Sequence, residues 1–175
     1  MKLFLTLCAG ALILLTSCAG PGGHHAGHAG HGKGPFARGD SRDLVQWHRL
    51  ADAKDVAWIL EKPLLVDFYV PEGCDRCERM DRDLWGNPEI ARRVNEGFVP
   101  VRIDLTRNMS REEIALGRKY DYKYDCLLLF LDYTGEAIED AGGGRMCFAE
   151  FVSTEWFLGH LERALAAASA HSRTP

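Results

Sequence analysis

The chain has 175 residues, 46% of them apolar and 26% charged, which is ordinary for a soluble globular protein and enough for one domain with a sizeable core. Its formal net charge of −4 gives no electrostatic reason to expect a nucleic-acid partner.

The first residues read as a targeting segment. Lys2 supplies a minimal positive start, and Leu3 to Leu15 is an apolar run too short to span a bilayer as a stable helix. The run ends in Leu15-Thr16-Ser17-Cys18. This ending resembles the lipobox of bacterial lipoproteins. The resemblance implies a signal peptide over residues 1–17, cleavage before Cys18, and acyl chains, palmitate among them, on that cysteine. Several chains anchor stably where one binds only marginally. Ala19 stands where an aspartate usually retains such proteins in the inner membrane. The expectation is a periplasm-facing lipoprotein of the cell envelope, anchored in the outer membrane; an ordinary secretory signal cut elsewhere is the other reading. Of six cysteines, Cys8 leaves with the signal and Cys18 is lipidated. Cys74, Cys77, Cys126 and Cys147 remain, an even number that permits disulfides in an oxidising compartment.

Residues 18–42 carry the lipidation site and a linker rich in Gly, Ala and His, a composition that cannot bury a core. His24, His25, His28 and His31 lie in it. Imidazoles ligate copper, nickel and zinc, so the tract is either a weak metal collector or a plain spacer.

The domain is expected over residues 43–170, with a short tail at 171–175. Asp43 to Arg49 alternates loosely and predicts an edge strand. Asp52 is placed to cap a helix through Leu60, with Val56, Ile59 and Leu60 on one face. Lys62-Pro63 stops it. Leu64 to Val70, apolar but for Asp67, predicts a strand buried on both faces. Cys74 and Cys77 follow on a turn opening a helix that sends Met80 and Leu84 inward and ends near Trp85-Gly86. Asn87-Pro88-Glu89 starts another helix, which stops at Gly97. Phe98 to Leu105 reads as a strand, Ser110-Arg-Glu-Glu113 as a capping box opening a helix to Tyr120, and Cys126 to Asp132 as an apolar strand. A last strand falls between Gly142 and Phe148, before a helix from Ser153 to about Ala168 with Trp156, Phe157, Leu161 and Leu165 as a core stripe.

That order, βαβαβαββα, predicts an α/β thioredoxin fold: a central mixed sheet with helices on both faces, its early strands parallel and its last two antiparallel. Lys62-Pro63-Leu-Leu-Val-Asp-Phe-Tyr69, Asn87-Pro88-Glu89-Ile90 and Phe98-Val-Pro-Val-Arg-Ile-Asp104 resemble the periplasmic thioredoxin-like domains of the DsbD C-terminal type. The resemblance implies thiol–disulfide exchange with partner proteins. Cys74 at a helix N-terminus favours the nucleophilic thiolate, and Cys77, one turn later on the same face, can resolve a mixed disulfide. Arg76 adds positive charge that Asp75 partly offsets. Asp67 matches the family's buried acid, to which the resemblance assigns the proton of the second cysteine; a strand acid bonded to backbone is the structural alternative.

The chain also departs from the family. Gly73 replaces the usual tryptophan, Pro71-Glu72-Gly73 holds one extra residue, and Phe148 falls near a usually small position. Cys126 aligns with the family's cis-proline, and the cost of a cis bond before a non-proline predicts a trans Asp125–Cys126 bond. Topology brings Cys147 near the start of the Cys126 strand. Three readings stay open at this point. Cys74–Cys77 is exchange-active, needing no cofactor, with Cys126–Cys147 a structural or second redox disulfide. Cys74, Cys77, Cys126 and Cys147 form a four-thiolate site for zinc or copper, fed by the histidine tail. Cys147 is only a small buried apolar residue. The corresponding functions are a membrane-anchored thiol–disulfide oxidoreductase acting on protein thiols and disulfides, a metal-binding lipoprotein, and a redox-inactive adaptor.

Overall fold

The computed structural model describes residues 43–123 and 127–171; the predicted leader, Cys18, the histidine tract and Cys126 lie outside the described residues. The elements run α1 (Leu50–Leu60), β1 (Leu64–Tyr69), α2 (Asp75–Met80), a π-helical turn (Asp81–Trp85), α3 (Pro88–Gly97), β2 (Val99–Asp104), α4 (Arg111–Lys119), β3 (Leu128–Leu131), β4 (Cys147–Phe148) and α5 (Thr154–His171). The strands order as β2-β1-β3-β4. β1 pairs parallel to β2 and antiparallel to β3, and β3 pairs antiparallel to β4. This is the thioredoxin fold, with the mixed sheet expected from the element order.

Strand alternation divides the core in two. Leu65 and Phe130 face one side and pack with Met80, Leu84 and Trp85 around α2, with Ile90 of α3, and with Phe157 and Leu161 of α5. Val66, Phe68, Val101 and Leu129 face the other side and pack with Leu50, Ala53 and Ala57 of α1 and Tyr120 after α4. Helices therefore cover both faces. Two helix starts are fixed locally, as their sequences predict. Asn87 Oδ1 accepts from the N–H of Glu89 and Ile90 with Pro88 behind it, and Ser110 with Glu113 closes a reciprocal capping box.

Several expectations are corrected. Residues 43–49 form no strand; a single parallel bridge joins His48 to Val101 at the edge of β2. α1 starts earlier than Asp52, with Arg49 as its N-cap. Its buried residues are Leu50, Ala53 and Ala57, at i, i+3 and i+7, while Ile59 is 75% exposed and Leu60 also faces out. Two alanines on that face let the helix backbone come close to the sheet. Trp58 is exposed too, against the Tyr133 ring at 5.7 Å. β4 is far shorter than its predicted window. In α5 the core stripe is Phe157, Leu161 and Ala164, whereas Trp156 is 42% exposed and stacks on the buried His160. Among the described residues no helix is long and apolar enough to cross a membrane.

Candidate functional site

The site is built where β1 ends and α2 begins. Gly73 adopts φ +74°, in the left-handed region that a side chain penalises, and turns the chain into the helix. The glycine in the usual tryptophan position is thus a requirement of this backbone. Cys74 is the N-cap of α2, and its Sγ accepts from the Cys77 N–H at 3.1 Å. Cys74 is half-buried and Cys77 almost fully buried, and the two are joined as a disulfide with Sγ–Sγ 2.09 Å. On reduction, an N–H aimed at Cys74 Sγ at the first turn of a helix favours the thiolate there. The division of exposure suits one cysteine for attack and the other for resolution.

Asp67 lies in the centre of β1 at 1% exposure. By alternation it shares the sheet face of Leu65, the face that Met80 of the Cys77-bearing helix and Leu84 of the π-helical turn cover. Its two carboxylate oxygens are used differently. Oδ2 lies 3.2 Å from Arg102 Nη2. Oδ1 lies 3.8 Å from Arg76 Nη1 and has no hydrogen-bond partner. Burial pushes the Asp67 carboxyl above the ordinary carboxylate range, and Arg102 and then Arg76 pull it back. Among the described residues no backbone group is hydrogen-bonded to Asp67 Oδ1. Arg76 does not present its charge to solvent between the cysteines. Its side chain is buried and turns back toward Asp67, and burial lowers its pKa against the pull of that carboxylate.

Sequence reasoning missed the rest of this cluster. Arg102 on β2 sits beside Asp67 in the parallel register. Its Nη1 donates to Asp43 Oδ2 at 2.7 Å and its Nη2 to Asp81 Oδ1 at 3.0 Å. The guanidinium lies between the rings of Trp47 and Tyr69, at 4.1 and 4.2 Å from their centroids. Trp47 Nε1 donates to Asp43 at 2.8 Å, and the Tyr69 hydroxyl donates to Asp81 at 2.9 Å. Burial works against charge on Arg102, but Asp67, Asp43 and Asp81 outweigh it and hold the pKa up. Burial raises the Asp81 pKa, opposed by Arg102 and Tyr69. Asp81 reaches the cluster because the helix widens there: the Gly86 N–H bonds back to the Asp81 carbonyl, five residues earlier, at 2.9 Å. The available signal was a lone arginine in the apolar run Phe98 to Ile103, facing the lone aspartate of the neighbouring run.

Cys147 is also disulfide-bonded. It packs with the core on the α1 face of the sheet, opposite the face that Met80 of α2 and Leu84 of the π-helical turn cover. Among the described residues no group of three or more His, Cys, Asp or Glu is arranged to hold a metal.

The comparisons with known proteins agree with this geometry. The family model described as thioredoxin-like matches residues 46–132, which contain both cysteines, Asp67, Asp81 and Arg102. Residues 46–132 form a thioredoxin-like domain. Among solved structures, this thioredoxin-like chain is similar to the DsbH oxidoreductase, at 21% identity and TM-score 0.53, over 70% of this chain and 85% of that one. It is similar also to a thioredoxin from Thermus thermophilus, at 19% identity and TM-score 0.53, over 74% of this chain and 94% of that one. At such identities the likeness concerns the fold. No curated protein matches the sequence.

Proposed function

We propose that this thioredoxin-like protein is a thiol–disulfide oxidoreductase that reduces protein disulfides through Cys74 and Cys77. One observation carries the reading: a partly exposed cysteine at a helix N-terminus is bonded to a buried one, on a helix whose Arg76 reaches a buried carboxylate with an unbonded oxygen. In the reduced protein, the Cys74 thiolate attacks one sulfur of a substrate disulfide. A Cys74–substrate bond forms, and the other substrate sulfur leaves as a thiolate. Cys77 gives its proton to Asp67 and attacks Cys74 Sγ. The Cys74–Cys77 bond forms, the second substrate sulfur leaves, and the substrate is reduced by two electrons as the cysteine pair is oxidised. A donor dithiol returns the pair to the reduced state.

The lipobox-like ending at Cys18 and the linker that follows support placing this activity on a lipid-anchored domain facing the periplasm, with membrane and protein thiols as its partners. The name of the DsbH oxidoreductase, a neighbour in fold, is in keeping with the chemistry. Insulin disulfide reduction by the full chain, with dithiothreitol as donor, tests the reading. Wild-type protein is expected to accelerate reduction and Cys74→Ser to abolish the acceleration. Equal rates for the two would reject it.

A further inference from the structure

Three acidic side chains and two basic ones meet in the buried layer beneath α2. Arg102 is shared by Asp43, Asp81 and Asp67 at 2.7, 3.0 and 3.2 Å, and Arg76 meets Asp67 at 3.8 Å. The side chains of Arg102 and all three of its carboxylate partners are at most 10% exposed, so water screens this sharing little. One guanidinium cannot satisfy three carboxylates equally, and Asp67 holds the longest of the three contacts. Asp43 comes from the segment before α1, Asp81 from the π-helical turn and Tyr69 from β1 itself. At the Asp67 register β3 presents Leu128, which carries no charge.

We propose that Asp43 and Asp81 are positioning residues for thiol–disulfide exchange: by competing for Arg102 they set how much of its charge reaches Asp67, and so the pH at which Asp67 can take the proton of Cys77. This rests on the reading of Cys74 and Cys77 given above. Asp67 Oδ2 faces Arg102, whereas Oδ1 makes no hydrogen bond and lies nearest Arg76 of α2, the helix that carries Cys77. A carboxylate pinned on both oxygens would be a poor proton acceptor. One weakly shared on Oδ2 and unbonded on Oδ1 stays basic while remaining fixed in place. The segment before α1 forms no strand, yet Trp47 and the Val45 N–H both donate to Asp43, which fixes that carboxylate over Arg102. The device is thus assembled from segments far apart in sequence around one buried charge. Because Asp67 and Cys77 exchange the proton, the observed midpoint belongs to the pair.

The test uses the reduced full chain and 5,5′-dithiobis(2-nitrobenzoate), with the release from a variant carrying both Cys74→Ser and Cys77→Ser subtracted. Attack by Cys74 releases the first coloured thiolate, and displacement by Cys77 releases the second. The rate of the second release is followed against pH. Asp43→Asn and Asp81→Asn keep the shape of the acceptors but leave more of Arg102 to Asp67. Each is expected to move the acid limb of the second release about one unit to lower pH, the scale on which a close opposite charge acts. Tyr69→Phe removes only the hydroxyl that Asp81 accepts, so Asp81 draws more on Arg102, and the limb is expected to move to higher pH. The first release is expected to keep its profile in all three. Superimposed second-release profiles in the folded variants, or shifts of one sign in all of them, overturn the proposal. Should an Asn variant fail to fold, Tyr69→Phe decides by the sign of its shift. Absence of a second release in wild type, or its persistence in Cys77→Ser, rejects the exchange reading itself and the proposal with it.

Discussion

Replacing Arg102 by methionine removes the one cation that three buried carboxylates share. The partners lie at 2.7, 3.0 and 3.2 Å, and the side chains are 2–10% exposed. Truncating one partner of a buried ion pair costs about 3–5 kcal/mol, because the remaining charge stays desolvated and unpaired. Against a domain stability of roughly 5–15 kcal/mol this is a large fraction. For a domain of this size it corresponds to a fall in Tm of about 10–20 °C. The loss carries a pH signature. Burial already holds the Asp67 and Asp81 pKa values above the ordinary carboxylate range, and Arg102 is the first group to oppose that rise. Without it both move further up, so the folded state binds protons more tightly than the unfolded chain. A raised folded-state carboxyl pKa favours folding where the group is protonated, and that advantage is lost as pH rises through the folded value. The deficit of Arg102→Met is therefore expected to be small at about pH 5 or below and to grow toward about pH 8. Urea unfolding of wild type and variant at both pH values, with the slope m checked for constancy, measures it. A deficit below about 1 kcal/mol, the range of an exposed pair, or one that does not change with pH, would refute the reasoning.

Other consequences can be checked by the same methods. Gly73→Ala meets no atom within 4 Å of the new Cβ, so its cost is that of the left-handed backbone alone, about 1–2 kcal/mol in urea unfolding. Gly73→Asn, which tolerates that region better, is expected to cost less. His160 is held neutral, its pKa lowered to about 4 by burial and then by Arg163. A depressed histidine pKa contributes stability that is present above the unfolded value, about 6.5, and is lost as pH falls toward the folded one. His160→Phe is therefore expected to flatten the part of the Tm profile that falls between those values, and an unchanged profile would contradict this. Trp85→Ala, at a fully buried ring edge-on to Trp47 and Phe157, is expected to cost about 3–5 kcal/mol. Trp58→Ser, on the exposed side of α1, is expected to stay within about 0.5 kcal/mol. Similar losses at both positions would contradict the assignment of the core.

What was legible in the sequence is what neighbouring residues decide among themselves. The apolar run before Cys74, the Asn87-Pro88 start and the Ser110–Glu113 box each state their structure within a few residues, and the fold followed from their order. The buried face of α1 is not the one its large apolar residues mark. Ile59 and Leu60 are the larger side chains, but the sheet accepts Ala53 and Ala57, whose smallness permits close packing. Trp156 is likewise large but exposed; His160, between it and the core, covers the buried side of its ring. In the site, Cys74, Cys77 and Asp67 were visible because they lie in one short stretch. Asp43 and Arg102 are 59 residues apart and Asp81 and Arg102 are 21 apart, so no local pattern joins them. Only parallel pairing of β1 with β2 puts Arg102 next to Asp67. Asp81 was hidden further by the widened helical turn, which helical spacing does not anticipate.

The central claim, that Cys74 attacks and Cys77 resolves, is tested most directly by trapping the intermediate. Reduced full-length Cys77→Ser, treated with 5,5′-dithiobis(2-nitrobenzoate) and examined by peptide mass spectrometry, is predicted to hold a stable adduct on Cys74. Wild type under the same conditions is predicted to release two thiolates from the pair, carry no adduct on Cys74 and end with the Cys74–Cys77 disulfide. A Cys77→Ser protein with no adduct on Cys74, or a wild type that keeps its adduct, would contradict the account.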